Sequence, residues 1–585
     1  MAKSKKEDEL IDLQPDINTP RPRLHKLIIK NFRSIGTDPV EIDLDDIVVL
    51  VGPNNSGKSS ILRAYEVAMS QGSNKGKLSI DDFPNGVVDE DCYPEIELHT
   101  IVFTNAPGKK WLDDLGNQEY IIRERWIWSS PNKDPKRQGF NIELNDWDEE
   151  KVPWGAPNVA NSRRPLPHRV DAFDTPDAQA KSITDLIAGI LKDKIIEIKS
   201  DPSQEISDYE LILDKIRNLQ TKAVKATESE IIVIESEITK YIEKLFPNHQ
   251  VKFDAKAETD IEKAYEPFKS RTEMLIGPKD GYFSKIEHQG SGARRTILWA
   301  TLKYISENKN DTKERPHVLL LDEPEICLHP SAIREARSVL YDLPKSGNWQ
   351  VMLTSHSPIF IDLSRDNTTI IRVFRDEMSS VQSTTLYRPS KAKLSHNDLT
   401  NLKLLNICDP YVHEFFFGGK QIIVEGDTEY TAFSMIKEQL PDEYLDLQII
   451  RARGKGIIPS VAKVLLQFSK GFSILHDTDT PKTKDNKNNP AWGMNSTIGN
   501  ILSLENALGR VHLLACKTNF ESAIFGEEIK NEKPYNALIR IRSDQAIFEK
   551  VKLLLDALID NNVTPPSNII RWNSIADLES QCGLK

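Results

Sequence analysis

Apolar residues along the chain fall into short, dense runs bounded by polar turns and longer stretches with three- and four-residue spacing. The first kind predicts strands and the second helices. Residues 1–23 are charged and proline-punctuated and read as a loose N-terminal tail. Leu24 to Asn31, Val40 to Leu44 and Ile47 to Val51 read as strands, and Ser60 to Met69 as a helix. Glu95–Thr104 and Tyr120–Ser129 are β-branched or aromatic-rich and predict an antiparallel sheet. Trp147 to Pro176, rich in proline and asparagine, reads as a connector.

A helical region is expected over about Asp177 to Phe246. Within it Ile231, Ile234, Ile238, Ile242 and Leu245 form a stripe with charges between them. Such a stripe either packs on its own domain or projects as an arm that dimerises. Further on, a glycine-serine turn enters an apolar helix, Lys285 to Ala300. Short strands follow in His317–Pro324 and Val351–Pro358, strand-like residues between Asp362 and Pro389, and a helix over Asn397–Asp409. Beyond Gly418-Gly419 strands and helices alternate: Gln421–Val424, Tyr430–Gln439, Leu447–Ile450, Ile458–Phe468 and Phe472–Leu475. That alternation predicts a parallel sheet, so the expected fold class is α/β.

Composition narrows the function classes. A net charge of −12 argues against a protein that coats nucleic acid through bulk charge, while leaving room for a local basic groove or metal-mediated contact. The five cysteines are scattered, without a C-x-x-C pair, which argues against a disulfide framework or a cysteine zinc site and fits a reducing cytoplasm. The N-terminal stretch lacks the apolar core of a signal peptide, and no run of 18 apolar residues predicts a membrane span.

The candidate chemistry clusters at strand ends. Gly52, Gly57, Lys58 and Ser59 fit G-x-x-x-x-G-K-[ST], between a strand and a helix as a P-loop requires. Backbone N–H groups and the helix N-terminus suit phosphate oxygens there. Lys58 is expected to reach the β- and γ-phosphates of ATP and Ser59 to ligate Mg²⁺. Asn54, Asn55 and Ser60 belong to the same cradle. In HVLLLDEP, Asp322 is expected to hold that Mg²⁺ and Glu323 to orient or deprotonate water. Ser291, in a Gly-Ser-Gly turn, and His356, just past a strand, are further nucleotide contacts.

A second group lies farther on. Glu425 follows the strand QIIV, and Glu429 opens the next helix. Asp477 and Asp479 follow the strand FSIL. Carboxylates gathered at strand ends repel one another unless hard divalent cations such as Mg²⁺ or Mn²⁺ are bound, and that combination permits two-metal phosphodiester cleavage.

The order P-loop, long insertion, Gly-Ser-Gly, Leu-Asp-Glu-Pro and Ser-His-Ser resembles ATP-binding-cassette ATPases of the SMC/RecF type. There the signature serine of one head closes on nucleotide held by another, which implies a homodimer or higher oligomer. The E-G-x-x-E and D-x-D pair resembles the Toprim domain. An ATPase head followed by Toprim resembles the OLD (overcoming lysogenisation defect) endonucleases, the Gabija nuclease subunit and retron-associated effectors. The resemblance implies an ABC/SMC-like ATPase domain over 24–165 and 250–400, a helical dimerisation insertion at 166–249, and a Toprim nuclease domain with a C-terminal extension over 401–585. It adds Glu521 as a further metal acid and Lys533 as a lysine that neutralises the scissile phosphate. Arg453-Gly454-Lys455-Gly456 stands where the family has a glycine-rich turn that carries a catalytic-side contact, although Lys455 equally reads as a plain surface charge. The implied partners are DNA and either a second defence protein or a retron RNA/DNA–reverse transcriptase complex, with no membrane. The implied role is anti-phage defence. The competing reading is a RecF/SMC-like DNA-repair ATPase whose C-terminal acidic module cuts nothing. Residues 543–585 carry no readable motif.

Overall fold

The structure is a computed structural model that describes residues 22–103, 107–171, 178, 180, 230–243, 249–256, 271–307, 316–326, 328–346, 349–365, 367–409, 412–468 and 470–584. Its architecture is α/β. The chain forms two compact units. One comprises residues 1–33, 63–320 and 327–351, the other 34–62, 321–326 and 352–585.

The first unit contains an antiparallel sheet. Arg23–Lys30 pairs with Glu95–Val102, which pairs with Glu119–Ile127, which pairs with Lys136–Asn141. Alternation drives this pairing: Ile96, Leu98, Ile122 and Trp126 point into one core. Arg164 is fully buried and grips Glu124 with two hydrogen bonds, at 2.8 and 2.6 Å.

The stretch expected to be a connector contains more structure than that. Pro157–Ser162 is a helix, and Leu166–Val170 is a strand at the edge of a six-stranded sheet, beside His317–Asp322. Pro167 disguised it, and an edge strand is where a proline without an N–H is tolerated. Of the expected helical region, only residues 178, 180 and 230–243 are described. In 230–243 the isoleucines 231, 234, 238 and 242 are all buried. Glu235 and Thr239 of this helix accept hydrogen bonds from the backbone N–H groups of Phe253 and Val251. The described part of the stripe therefore packs on its own chain. Leu245 and the rest of the expected arm lie outside the described residues.

Two further sheets carry the candidate residues. In the six-stranded sheet the order runs Val381–Tyr387, Thr368–Arg375, Ile47–Val51, Trp349–Thr354, His317–Asp322, Leu166–Val170. Ile47–Val51 is buried at every position, as an apolar run in the middle of a sheet should be. The five-stranded sheet runs Leu447–Arg451, Lys420–Val424, Phe472–Asp477, Val511–Cys516, Ile569–Trp572. Its first four strands are parallel and the last is antiparallel. The motif-free C-terminal stretch thus completes this sheet, and helix Gln545–Ile559 packs into its core.

Candidate functional site

At the head, the P-loop joins the buried strand Ile47–Val51 to the helix Lys58–Met69. Gly52 has φ 144°, and a Cβ there would stand 1.9 Å from the carbonyl oxygen of Val373, so only glycine fits. Asn55 sits at φ 60°, and its carbonyl accepts a 3.2 Å hydrogen bond from Arg375 Nε. Lys58 Nζ donates to the carbonyls of Gly52 and Pro53 at 3.0 and 2.8 Å. Burial lowers its pKa, against the pull of Glu323, Asp322 and Glu325.

The two acids meet the loop as the motif spacing requires. Ser59 Oγ donates to Asp322 Oδ1 at 3.0 Å, and Thr354 Oγ1 donates to the same oxygen at 2.6 Å. Glu323 is held at φ 45°, a strained position for a residue with a side chain, and its N–H donates to Thr354 Oγ1. His356 Nε2 lies 3.5 Å from Glu323 Oε1, close enough for electrostatic contact but without hydrogen-bond geometry. Burial, then nearby Lys58, lowers the His356 pKa below its ordinary value. Ser60 is buried beside the loop, with its N–H on the Gly57 carbonyl. Ser291 begins the helix Ser291–Glu307 in the other unit.

Sequence reasoning passed over Thr354 and Glu325 here. Glu325 accepts hydrogen bonds from Ser355 Oγ at 3.0 Å and His356 N–H at 2.7 Å. Burial raises its pKa, with those hydrogen bonds opposing. The repeated acid in Asp-Glu-Pro-Glu was the available signal.

In the five-stranded sheet all four parallel strands deliver polar residues at their carboxyl ends, where ligands bind in open α/β sheets. Glu425 follows Lys420–Val424, Lys455 follows Leu447–Arg451, Asp477 ends Phe472–Asp477, and Glu521 follows Val511–Cys516. Asp477 N–H donates to Glu425 Oε2 at 3.0 Å. Glu429, in the first turn of helix Asp427–Gln439, is buried. Burial pushes its carboxyl up to about 7, and Glu425 and Glu521 add to the shift. Burial, then Glu429, Glu425, Glu521 and Asp479, pushes Asp477 well above the usual carboxylate range. Burial likewise raises Glu425, with Asp479 adding, while the Asp477 N–H, Lys455 and Lys533 oppose.

Two supports hold these acids in place. His476 is fully buried, and its Nδ1–H donates to the Asp477 carbonyl at 2.9 Å while Trp572 Nε1–H donates to its Nε2 at 3.2 Å. Burial lowers the imidazole to about 3, so it is a neutral strut. Glu521 accepts from Thr428 Oγ1 and from Lys533 Nζ, both at 3.2 Å. Of the two readings of Lys455, the plain surface charge does not hold. The residue is buried, ion-paired to Asp479, and donates to the Ala491 carbonyl at 3.2 Å.

This donor set fits a divalent cation. Asp477 Oδ1 is buried without a hydrogen-bond partner amid Glu425, Glu429 and Glu521, an arrangement whose charge cost a hard cation removes. Among the described residues no three His, Cys, Asp or Glu side chains already stand in position to hold a metal ion. Asp479 is turned to Lys455 and Glu521 to Thr428 and Lys533.

Known proteins are similar to this chain in sequence. Residues 23–114 and 172–361 match the AAA ATPase domain family, and residues 416–479 match the Toprim domain of overcoming lysogenization defect protein-like proteins. The chain is 25% identical over 481 residues to the Old nuclease of Escherichia phage P2, covering 78% of this chain and 77% of the relative. It is 23% identical over 470 residues to the OLD nuclease of Thermus scotoductus, covering 78% and 82% respectively. Among solved structures, an SMC head bound to the C-winged helix domain of ScpA is similar at 16% identity and a TM-score of 0.38, covering 63% of this chain and 99% of that one.

Proposed function

We propose that this chain, which belongs to the OLD family by its paired ATPase and Toprim domains, is a divalent-metal-dependent DNA endonuclease governed by its nucleotide-binding head. The observation that carries the reading is the set of acids buried together at the carboxyl ends of the parallel strands, including the unpartnered Asp477 Oδ1, with burial first and then one another raising Glu429 and Asp477 in pKa. A module that only binds or scaffolds has no need of acids held at such electrostatic cost.

Glu425, Glu429, Asp477, Asp479 and Glu521 are the residues that would hold Mg²⁺ or Mn²⁺. When bound, such ions activate water and offset charge on the leaving oxygen. His476 and Trp572 keep the Asp477 backbone in place, and Lys533, part-exposed beside Glu521, is positioned to meet the scissile phosphate. At the head, Lys58, Ser59 and Asp322 hold ATP with its Mg²⁺, Glu323 orients water, and His356 senses the γ-phosphate. Gly57, Asn54, Asn55 and Ser60 shape the cradle.

The finer reading rests on family resemblance. The domain boundaries follow it, with ATPase halves at 24–165 and 250–400, an insertion at 166–249 and Toprim over 401–585. Ser291 acts across a homodimer or higher oligomer on nucleotide held by another copy. The biological role is anti-phage defence in the cytoplasm, with a second defence protein or a retron complex as partner. No described helix is long and apolar enough to cross a membrane.

The test is plasmid nicking and ATP hydrolysis by the full chain in Mn²⁺ or Mg²⁺. Asp477→Ala/Asp479→Ala should abolish nicking while ATP turnover persists. Nicking retained by this double variant would overturn the assignment of the cutting site.

A further inference from the structure

Immediately after Asp479 the chain makes a small hairpin, residues 480–489, whose sequence TPKTKDNKNN carries three lysines and one acid. It is well formed. Lys482 bridges Asn488, Thr483 N–H donates to the Lys487 carbonyl at 2.9 Å, and Asn486 turns the tip at φ 57°. Asn489 ties the stem twice, through its N–H to the Pro481 carbonyl at 3.0 Å and its Nδ2 to the Thr480 carbonyl at 2.8 Å. It then caps the helix Pro490–Gly499.

Both feet of this hairpin are fastened to the acid cluster. The buried Lys455 ammonium binds Asp479 at one foot and the Ala491 carbonyl at the other. Asn495 Nδ2 donates to the Thr478 carbonyl at 2.8 Å, and the Asp479 N–H donates to the Thr518 carbonyl at 2.9 Å. A solvated loop needs no such footing. At the exposed tip, Lys482 is occupied by Asn488 Oδ1, whereas Lys484 and Lys487 have no ion-pair or hydrogen-bond partner for their side chains among the described residues. The chain as a whole carries −12, so two uncommitted ammonium groups five and eight residues past Asp479 mark a local exception.

We infer that the hairpin 480–489 is a DNA-backbone contact of the Toprim site, with Lys484 and Lys487 taking phosphates and Lys455 locking the hairpin to Asp479. The inference rests on the nuclease reading and adds the element that grips the substrate. A carboxylate cluster repels a polyanion, so cationic groups near the acids favour holding DNA there. A hairpin with fixed feet offers its lysines without first having to be ordered. Charge, position and footing point to the same surface, and Asp485 at the tip limits it to two phosphates rather than a broad patch.

The experiment is equilibrium binding of a labelled duplex DNA to the full chain in metal-free buffer across a salt series, comparing wild type with Lys484→Gln/Lys487→Gln. Each phosphate contact contributes about 0.9 to the slope of log K against log salt, so the variant's slope should be shallower by about 1.8. Between about 50 and 200 mM salt, wild-type binding should therefore weaken about tenfold more than that of the variant. ATP binding by both proteins serves as the folding control. Equal slopes and equal affinities would overturn the hairpin's role. Turnover of a small chromogenic phosphodiester in Mn²⁺ separates the two claims. Turnover with equal slopes discards only the hairpin, whereas a shallower variant slope without turnover keeps the hairpin as a DNA contact and discards the nuclease.

Discussion

Thr354 shows how one hydroxyl can organise a charged site. It donates to Asp322 Oδ1 and accepts the N–H of Glu323, so it fixes both acids at the end of the strand His317–Asp322. Partners that orient a metal-holding group typically contribute 10- to 100-fold to affinity. Thr354→Val should therefore weaken Mg²⁺-dependent ATP binding by about 10- to 100-fold and leave metal-free nucleotide binding nearly unchanged. Titration with a fluorescent ATP analogue, with and without Mg²⁺, checks this. The acids themselves were legible in the sequence, because a carboxylate at the end of an apolar strand has few uses other than meeting a cation. Thr354 and Glu325 were not, and Lys455 was legible only as one of two readings, for a physical reason: their roles are set by partners distant along the chain. Lys455 looks like solvent-facing charge until Asp479 and Ala491 are folded over it, and Thr354 looks like a strand-end threonine until Asp322 arrives beside it.

At the scale of elements, Asp398 joins two helices. Its carboxylate accepts from Ser395 N–H and Oγ, from Ser460 Oγ at 2.8 Å and from Lys463 Nζ at 2.7 Å, so it closes the capping box of His396–Cys408 and ties that helix to Ile458–Leu465. Burial opposes its ionisation, but the hydrogen bonds from Lys463, Ser395 and Ser460 prevail and hold it down at about 2. A depressed carboxylate stabilises the fold above its unfolded value of 3.8, and that contribution is lost as pH falls through about 2. Asp398→Ala should cost about 1–3 kcal/mol near neutral pH and lose that penalty in the acid range. Urea unfolding of wild type and variant at several pH values measures the gap. The helices and strands of the C-terminal α/β alternation were readable from period alone, as was the isoleucine stripe in 230–243. Leu166–Val170 and Ile569–Trp572 were not, since one is masked by proline and the other is four residues long, and both are strands only because a sheet edge was waiting for them.

Across the molecule, both candidate sites follow one arrangement: neighbouring strands end together, and the candidate residues lie at or just past those ends. At the head this gathers a lysine, a serine and two acids for a nucleotide. In the Toprim sheet it gathers acids from three strands around Asp477, with a neutral His476 and Trp572 behind them. The two sets share no residue, so variants in one should spare the other. Lys58→Ala should abolish ATP binding and leave small-phosphodiester turnover in Mn²⁺ intact, which a colorimetric assay reads directly. The central claim is that the buried acids form a metal site. Its most direct test is Mn²⁺ binding to the nucleotide-free full chain, followed by calorimetry and by the Mn²⁺ spin signal, for wild type and Glu429→Gln. Wild type should bind Mn²⁺ saturably, and Glu429→Gln should lose that binding while retaining ATP binding. Binding that is unchanged by the substitution, or absent from wild type, would contradict that claim.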